Sequence, residues 1–129
     1  MVASVYAYYS HLYARFNSVD FSQWILYTGD GTLFEPTEER YVLLFVSSYQ
    51  EPIDQILLRL DNRENLPVLA LDLSQSRSPS QEGVIFVTSG INTLLNYVRR
   101  FQIFYVPTAL VIERQSGSLY KQDSLPLEL

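Results

Sequence analysis

Val42-Leu43-Leu44-Phe45-Val46-Ser47-Ser48-Tyr49-Gln50-Glu51-Pro52-Ile53 is the stretch whose reading sets the fold. Tyr41 to Ser47 is a near-continuous apolar run, as expected of a parallel strand buried on both faces. Pro52 falls in the first turn of a helix, where its missing N–H is not needed. Ile53, Ile56, Leu57 and Leu60 give that helix an apolar face through about Asn62. Leu66 to Leu73, with Pro67-Val68-Leu69-Ala70-Leu71 inside it, reads as a second buried strand. Strand, helix, strand predicts the βαβ unit of a parallel sheet.

Upstream, Val5, Tyr9, Leu12 and Phe16 share one helical face, with Val2, Tyr6 and Tyr13 beside them. Residues 2–16 are therefore expected to form an amphipathic helix that ends near Asn17-Ser18. Its aromatic stripe has two readings. It packs on the domain core, or Tyr6, Tyr9 and Tyr13 form an interface, since tyrosine is enriched at such surfaces. Trp24-Ile25-Leu26-Tyr27 and Thr32-Leu33-Phe34 read as two short strands joined by the turn Thr28-Gly29-Asp30-Gly31. A calcium loop would need further oxygen ligands at alternating positions, which are lacking. Glu35 to Arg40 is a charged connector.

Downstream, Ser74 to Gly83 is polar and reads as an exposed loop. Val84 to Val87 is a short strand. Ser89 offers an N-cap for a helix over Ile91 to Phe101, with Ile91, Leu94, Leu95 and Val98 facing inward. A strand resumes at Thr108, turns near Gln115-Ser116-Gly117 and pairs back over Ser118 to Gln122.

The chain has 129 residues, the length of one domain. Hydrophobic residues make up 47% and charged residues 18%, which supports a real core rather than disorder. There is no cysteine, and His11 is the one histidine, so no structural metal site is expected. No cofactor motif is present. Net charge is −5, and Arg99-Arg100 is the only tight basic pair, which argues against nucleic acid as a partner. No apolar run approaches the roughly 20 residues that span a bilayer. Val2-Ala3-Ser4-Val5-Tyr6 reads as the middle of an element, which predicts native sequence upstream. Leu127-Glu128-Leu129 reads as an added tail.

The central stretch resembles the active-site segment of thioredoxin-like proteins. That family places an aromatic residue and Cys-Gly-Pro-Cys between a buried strand and its helix. Tyr49 takes the aromatic position, Gln50 and Ile53 take the cysteine positions, and Pro52 keeps its place. Phe101-Gln102-Ile103-Phe104-Tyr105-Val106-Pro107-Thr108 is similar to the segment that carries the family's cis-proline. Arg114-Gln115-Ser116-Gly117-Ser118-Leu119-Tyr120 is similar to its final hairpin. The early Asp30-Gly31 turn resembles the extra hairpin of the membrane-anchored TlpA/ResA-like branch. The resemblance covers about residues 24–122.

The resemblance implies an α/β, thioredoxin-like fold: a central mixed sheet flanked by helices, with an N-terminal helix and an extra β-hairpin. Residues 1–20 would form the helix and 21–129 the domain. It also implies a cis Val106-Pro107 bond beside Tyr49 and Gln50. Three departures stand out. Both cysteines are absent, the segment from Ser74 to Val87 is long, and little chain follows Gln122 to make a C-terminal helix.

Dithiol chemistry needs a low-pKa cysteine at the helix N-terminus. The degenerate positions Gln50, Glu51, Pro52 and Ile53 supply no thiol, and no base stands beside a serine or threonine nucleophile. No catalytic residue is therefore assigned. Glu51 has a sufficient role in complementing the helix dipole. The geometry that outlives the cysteines is a groove of Tyr49, Gln50, Tyr105, Val106 and Pro107, which in the family binds extended polypeptide. The expectation is a non-catalytic protein-binding or assembly module with a protein or extended peptide as partner. The alternative is a thioredoxin-like enzyme or redox accessory protein that relies on a partner's cysteines. The resemblance to anchored members favours an extracytoplasmic, periplasmic place behind a membrane anchor, and the tyrosine stripe leaves a homodimer open.

Overall fold

Seven strands follow one another through hydrogen bonds in a single sheet, and an eighth pairs onto it from the C-terminus. The structure is a computed structural model and describes residues 18–47, 49–50, 52–60, 65–75 and 83–129. The strands are β1 (Ser18–Asp20), β2 (Tyr27–Thr28), β3 (Arg40–Val46), β4 (Val68–Asp72), β5 (Val84–Thr88), β6 (Thr108–Ser116), β7 (Leu119–Gln122) and β8 (Leu127–Glu128). Two helices are described, α1 (Ile53–Arg59) and α2 (Ile91–Arg100). The order across the sheet is β1-β7-β6-β3-β4-β5-β2, and β8 pairs with β6.

β3, β4 and β5 are parallel neighbours, so the βαβ reading of the central stretch holds. β6 runs antiparallel to β3, with Leu43 opposite Leu110 and Phe45 opposite Thr108. β3 is buried from Tyr41 through Val46, which is why its sequence shows no alternation.

The expected fold class is not what forms. Of the described residues 38% are strand and 17% helix, and the sheet curls into a mixed half-barrel rather than lying flat between helical layers. The physical reason is the aromatic filling of one face. Phe21, Phe34, Tyr41, Tyr97 and Tyr120 join Leu43, Phe45 and Leu110 in one buried cluster. Phe21 meets Phe34 and Tyr120 edge-on at centroid distances of 5.5 and 5.3 Å. Strand and turn side chains share the filling of this face with Leu94 and Tyr97 of α2. Val42, Leu44, Val46 and Ile56 belong to a second cluster on the opposite face, as the alternation along β3 requires. The expected N-terminal helix over 2–16 lies outside the described residues.

Several local expectations are corrected. The early hairpin forms around a Tyr27–Leu33 bridge, with Thr28 N–H donating to the Thr32 carbonyl and Phe34 N–H to the Leu26 carbonyl, both at 2.8 Å, but its first strand is only Tyr27–Thr28 and also pairs with β5. α2 starts after Gly90, not Ser89, and Ser89 Oγ donates to the Ile25 carbonyl. Leu94 and Tyr97 are its buried positions, while Ile91 and Leu95 are exposed. α1 ends at Arg59, and its Ile53, Ile56 and Leu57, with Leu60 just past its end, face the second cluster as expected. Leu127-Glu128, for which no strand was expected, pairs in register with Ala109 and Thr108.

One carboxylate ties the start of the described chain to the last hairpin. Asp20 Oδ1 accepts from Ser22 N–H, Ser22 Oγ and Ser118 Oγ at 2.9, 2.6 and 2.8 Å. These donors, Ser22 first, hold its carboxyl below the usual range. A depressed folded-state pKa stabilises the fold above the ordinary Asp range, and that contribution is lost as pH falls below it. Asp20→Ala is expected to cost about 1 kcal/mol at pH 7 and to flatten the acid limb of a stability–pH profile, read by urea unfolding.

Candidate functional site

β3 and β6 bring the expected groove residues to one end of the sheet. Phe45 lies opposite Thr108. Tyr49 follows Phe45 out of β3, and Tyr105 precedes Thr108 into β6, so both leave the sheet at the same end. The root of the first segment is pinned. Leu73 N–H donates to the Val46 carbonyl at 2.8 Å, and the Ser47 and Ser74 hydroxyls lie 2.6 Å apart. Gln50 N–H closes a turn onto the Ser47 carbonyl at 3.0 Å.

The second segment is fixed just as firmly. Thr108 Oγ1 donates to the Tyr105 carbonyl at 2.6 Å, and Leu129 N–H donates to the Pro107 carbonyl at 2.9 Å. The Val106–Pro107 bond is cis, as the resemblance implied. Between these anchors, the backbone N–H and C=O of Val106 take no hydrogen-bond partner among the described residues. Its side chain packs against the aromatic-rich cluster.

Exposed aromatic side chains stand at this end of the sheet. Tyr49 is 83% exposed, Phe104 83% and Tyr105 66%. Leu127 is also exposed, and its pairing with Ala109 places it toward this end of β6. Sequence reading found Tyr49 and Tyr105 but missed Phe104 and Leu127. The signal for Phe104 was available, since Phe104 and Tyr105 stand side by side in the link before a strand.

The four degenerate positions separate. Gln50 and Pro52 are exposed, whereas Ile53 is half-buried and packs in the second cluster, so it is a core residue. Glu51 lies outside the described residues, as do Tyr6, Tyr9 and Tyr13 of the expected interface. The side-chain amide of Gln50 has no partner among the described residues and offers both a donor and an acceptor.

Among the described residues no group of three or more His, Cys, Asp or Glu is placed to hold a metal ion. No described helix is long and apolar enough to cross a membrane. The arrangement at Tyr49–Tyr105 offers apolar contact area, an amide and free backbone groups, which together suit binding.

A scan against protein-family models and searches of curated proteins and of solved structures find no match to this chain. The likeness to thioredoxin-like proteins therefore rests on the residues quoted for it.

Proposed function

We propose that this chain is a non-catalytic protein-binding module that holds an extended peptide at the Tyr49–Tyr105 end of its sheet. The observation that carries the reading is the free Val106 backbone set among exposed aromatic side chains. A partner strand can satisfy both groups of that peptide unit pair, which is the chemistry of strand addition. Tyr49, Phe104 and Tyr105 add rigid contact area with polar tips on the tyrosines. Gln50 can read a backbone amide of the guest in either direction. The chain's own residues contribute no thiol, so the reading uses binding alone.

Selection from a displayed library of random peptides tests this reading. Enriched peptides are expected to bind saturably and to shift the amide resonances of Gln50, Tyr105 and Val106. Binders whose shifts cluster elsewhere on the sheet would refute it.

A further inference from the structure

The far end of the sheet carries a second cleft with a different chemistry. It lies among the turn after β1, the residues that return from the early hairpin, and the β6–β7 turn, and has a volume of about 420 Å³. That size suits a small ligand or a single large side chain. Arg40 opens β3 opposite Glu113, and the β6–β7 turn lies beyond Glu113. The length of β3 thus separates this cleft from the Tyr49–Tyr105 end by about 20 Å.

Its floor is Phe21 and Phe34, both buried, and its rim is Leu33 and Ile25, both exposed. Ser22 and Ser118 also line it, and their hydroxyl protons are already committed to Asp20 Oδ1. Asp20 is held ionised at neutral pH and can only accept, so the serine oxygens keep lone pairs and no free proton. Glu35 stands at the cleft, exposed, with no partner among the described residues. None of the lining side chains is Lys, Arg, His, Asn, Gln, Trp or Tyr. The side chains therefore offer an apolar floor, hydrogen-bond acceptors and one negative charge, and no donor.

From this one-sided chemistry we infer that the cleft binds an apolar group that carries an ammonium, with the hydrocarbon on Phe21 and Phe34 and the N–H donors on Glu35 and the serine oxygens. A free aralkyl amine and the lysine side chain of an apolar peptide share that chemistry. The net charge of −5 favours either at long range. An anionic or donor-poor ligand would meet acceptors without protons to fill them.

Titration of the isotope-labelled full chain with phenethylammonium, phenethyl alcohol, 3-phenylpropanoate and the peptide acetyl-Leu-Lys-amide tests this. Phenethylammonium or the peptide is expected to give saturable amide shifts at Ser22, Leu33, Gly117 and Ser118, and the tighter of the two identifies the source. The alcohol should bind at least about three-fold more weakly and the propanoate not at all. Glu35→Gln, at an exposed position, should leave the spectrum of the free protein in place and weaken the ammonium about three-fold. Equal binding of alcohol and ammonium, an unchanged affinity in Glu35→Gln, or no saturating shift at the cleft with either amine would overturn the assignment.

Discussion

Replacing Tyr97 with alanine is expected to cost about 3–5 kcal/mol of stability, the largest effect of any single change considered for this chain. Tyr97 is fully buried on α2. Its ring stacks on Phe21 at 6.2 Å and meets Trp24 edge-on at 5.4 Å. Its hydroxyl donates to the Trp24 carbonyl at 2.7 Å. One side chain therefore fastens α2 to the turn that follows β1 and closes the aromatic face of the curled sheet. Tyr97→Phe keeps the ring and strands only the carbonyl, so about 1–2 kcal/mol is expected.

The same residue sets an alkaline limit. Burial, and next the charge of Asp20, push the Tyr97 phenol well above its ordinary value. A group whose folded-state pKa is raised contributes its full stability below the unfolded value, about 10 for tyrosine. Above that pH the unfolded chain releases a proton that the folded chain keeps, and stability falls by up to about 1.4 kcal/mol per pH unit. Urea midpoints from pH 7 to 11.5 should therefore decline more steeply for the native sequence than for Tyr97→Phe. Burial also raises the phenol of Tyr120, so some decline remains in the variant. Parallel profiles would contradict the role given to Tyr97.

The second large effect concerns binding. Tyr49→Ala and Tyr105→Ala are each expected to weaken a selected peptide by about 1–2 kcal/mol, or roughly 5- to 30-fold, by calorimetry. Both side chains are mostly exposed, so stability should change by less than about 0.5 kcal/mol. The separation of the two readouts matters. A loss of affinity with an unchanged urea midpoint assigns these tyrosines to the surface that meets the guest. Unchanged affinity in both variants would move the binding site away from this end of the sheet.

Much of the centre of the fold was legible because its signals are local. Tyr41 to Ser47 announced a doubly buried strand, and β6 begins at Thr108 as the proline before it demanded. The apolar stripe of α1 also faces where its spacing said. The edges were not legible. Ser18-Val19-Asp20 holds one apolar residue and becomes a strand through its pairing with β7, and Leu127-Glu128 does so through β6. Tertiary pairing overrides weak propensity in such short segments.

The buried stripe of α2 is Leu94 and Tyr97, continued by Phe101 just past its end, at spacings of three and four residues. Favouring aliphatic residues over a tyrosine rotated the expected face toward Ile91 and Leu95. The fold class failed for a related reason. Aromatic residues scattered from Phe21 to Tyr120 form one cluster that no local window reveals, and it is this cluster that the curled sheet encloses. At the site, Tyr49, Gln50 and Tyr105 were readable from motif spacing. The exposure of Phe104 and the unpaired Val106 backbone depend on how the link into β6 is anchored, which spacing does not encode.

A photoreactive residue at Gln50, with Gln115 on the β6–β7 side as the control position, reports whether a peptide occupies this end of the sheet. A selected peptide is expected to form an adduct at Gln50 and not at Gln115, which unlabelled peptide competes away and Tyr105→Ala abolishes. Equal labelling at both positions, or an adduct at Gln50 that the peptide does not compete, would contradict the claim that this end of the sheet is a peptide-binding groove.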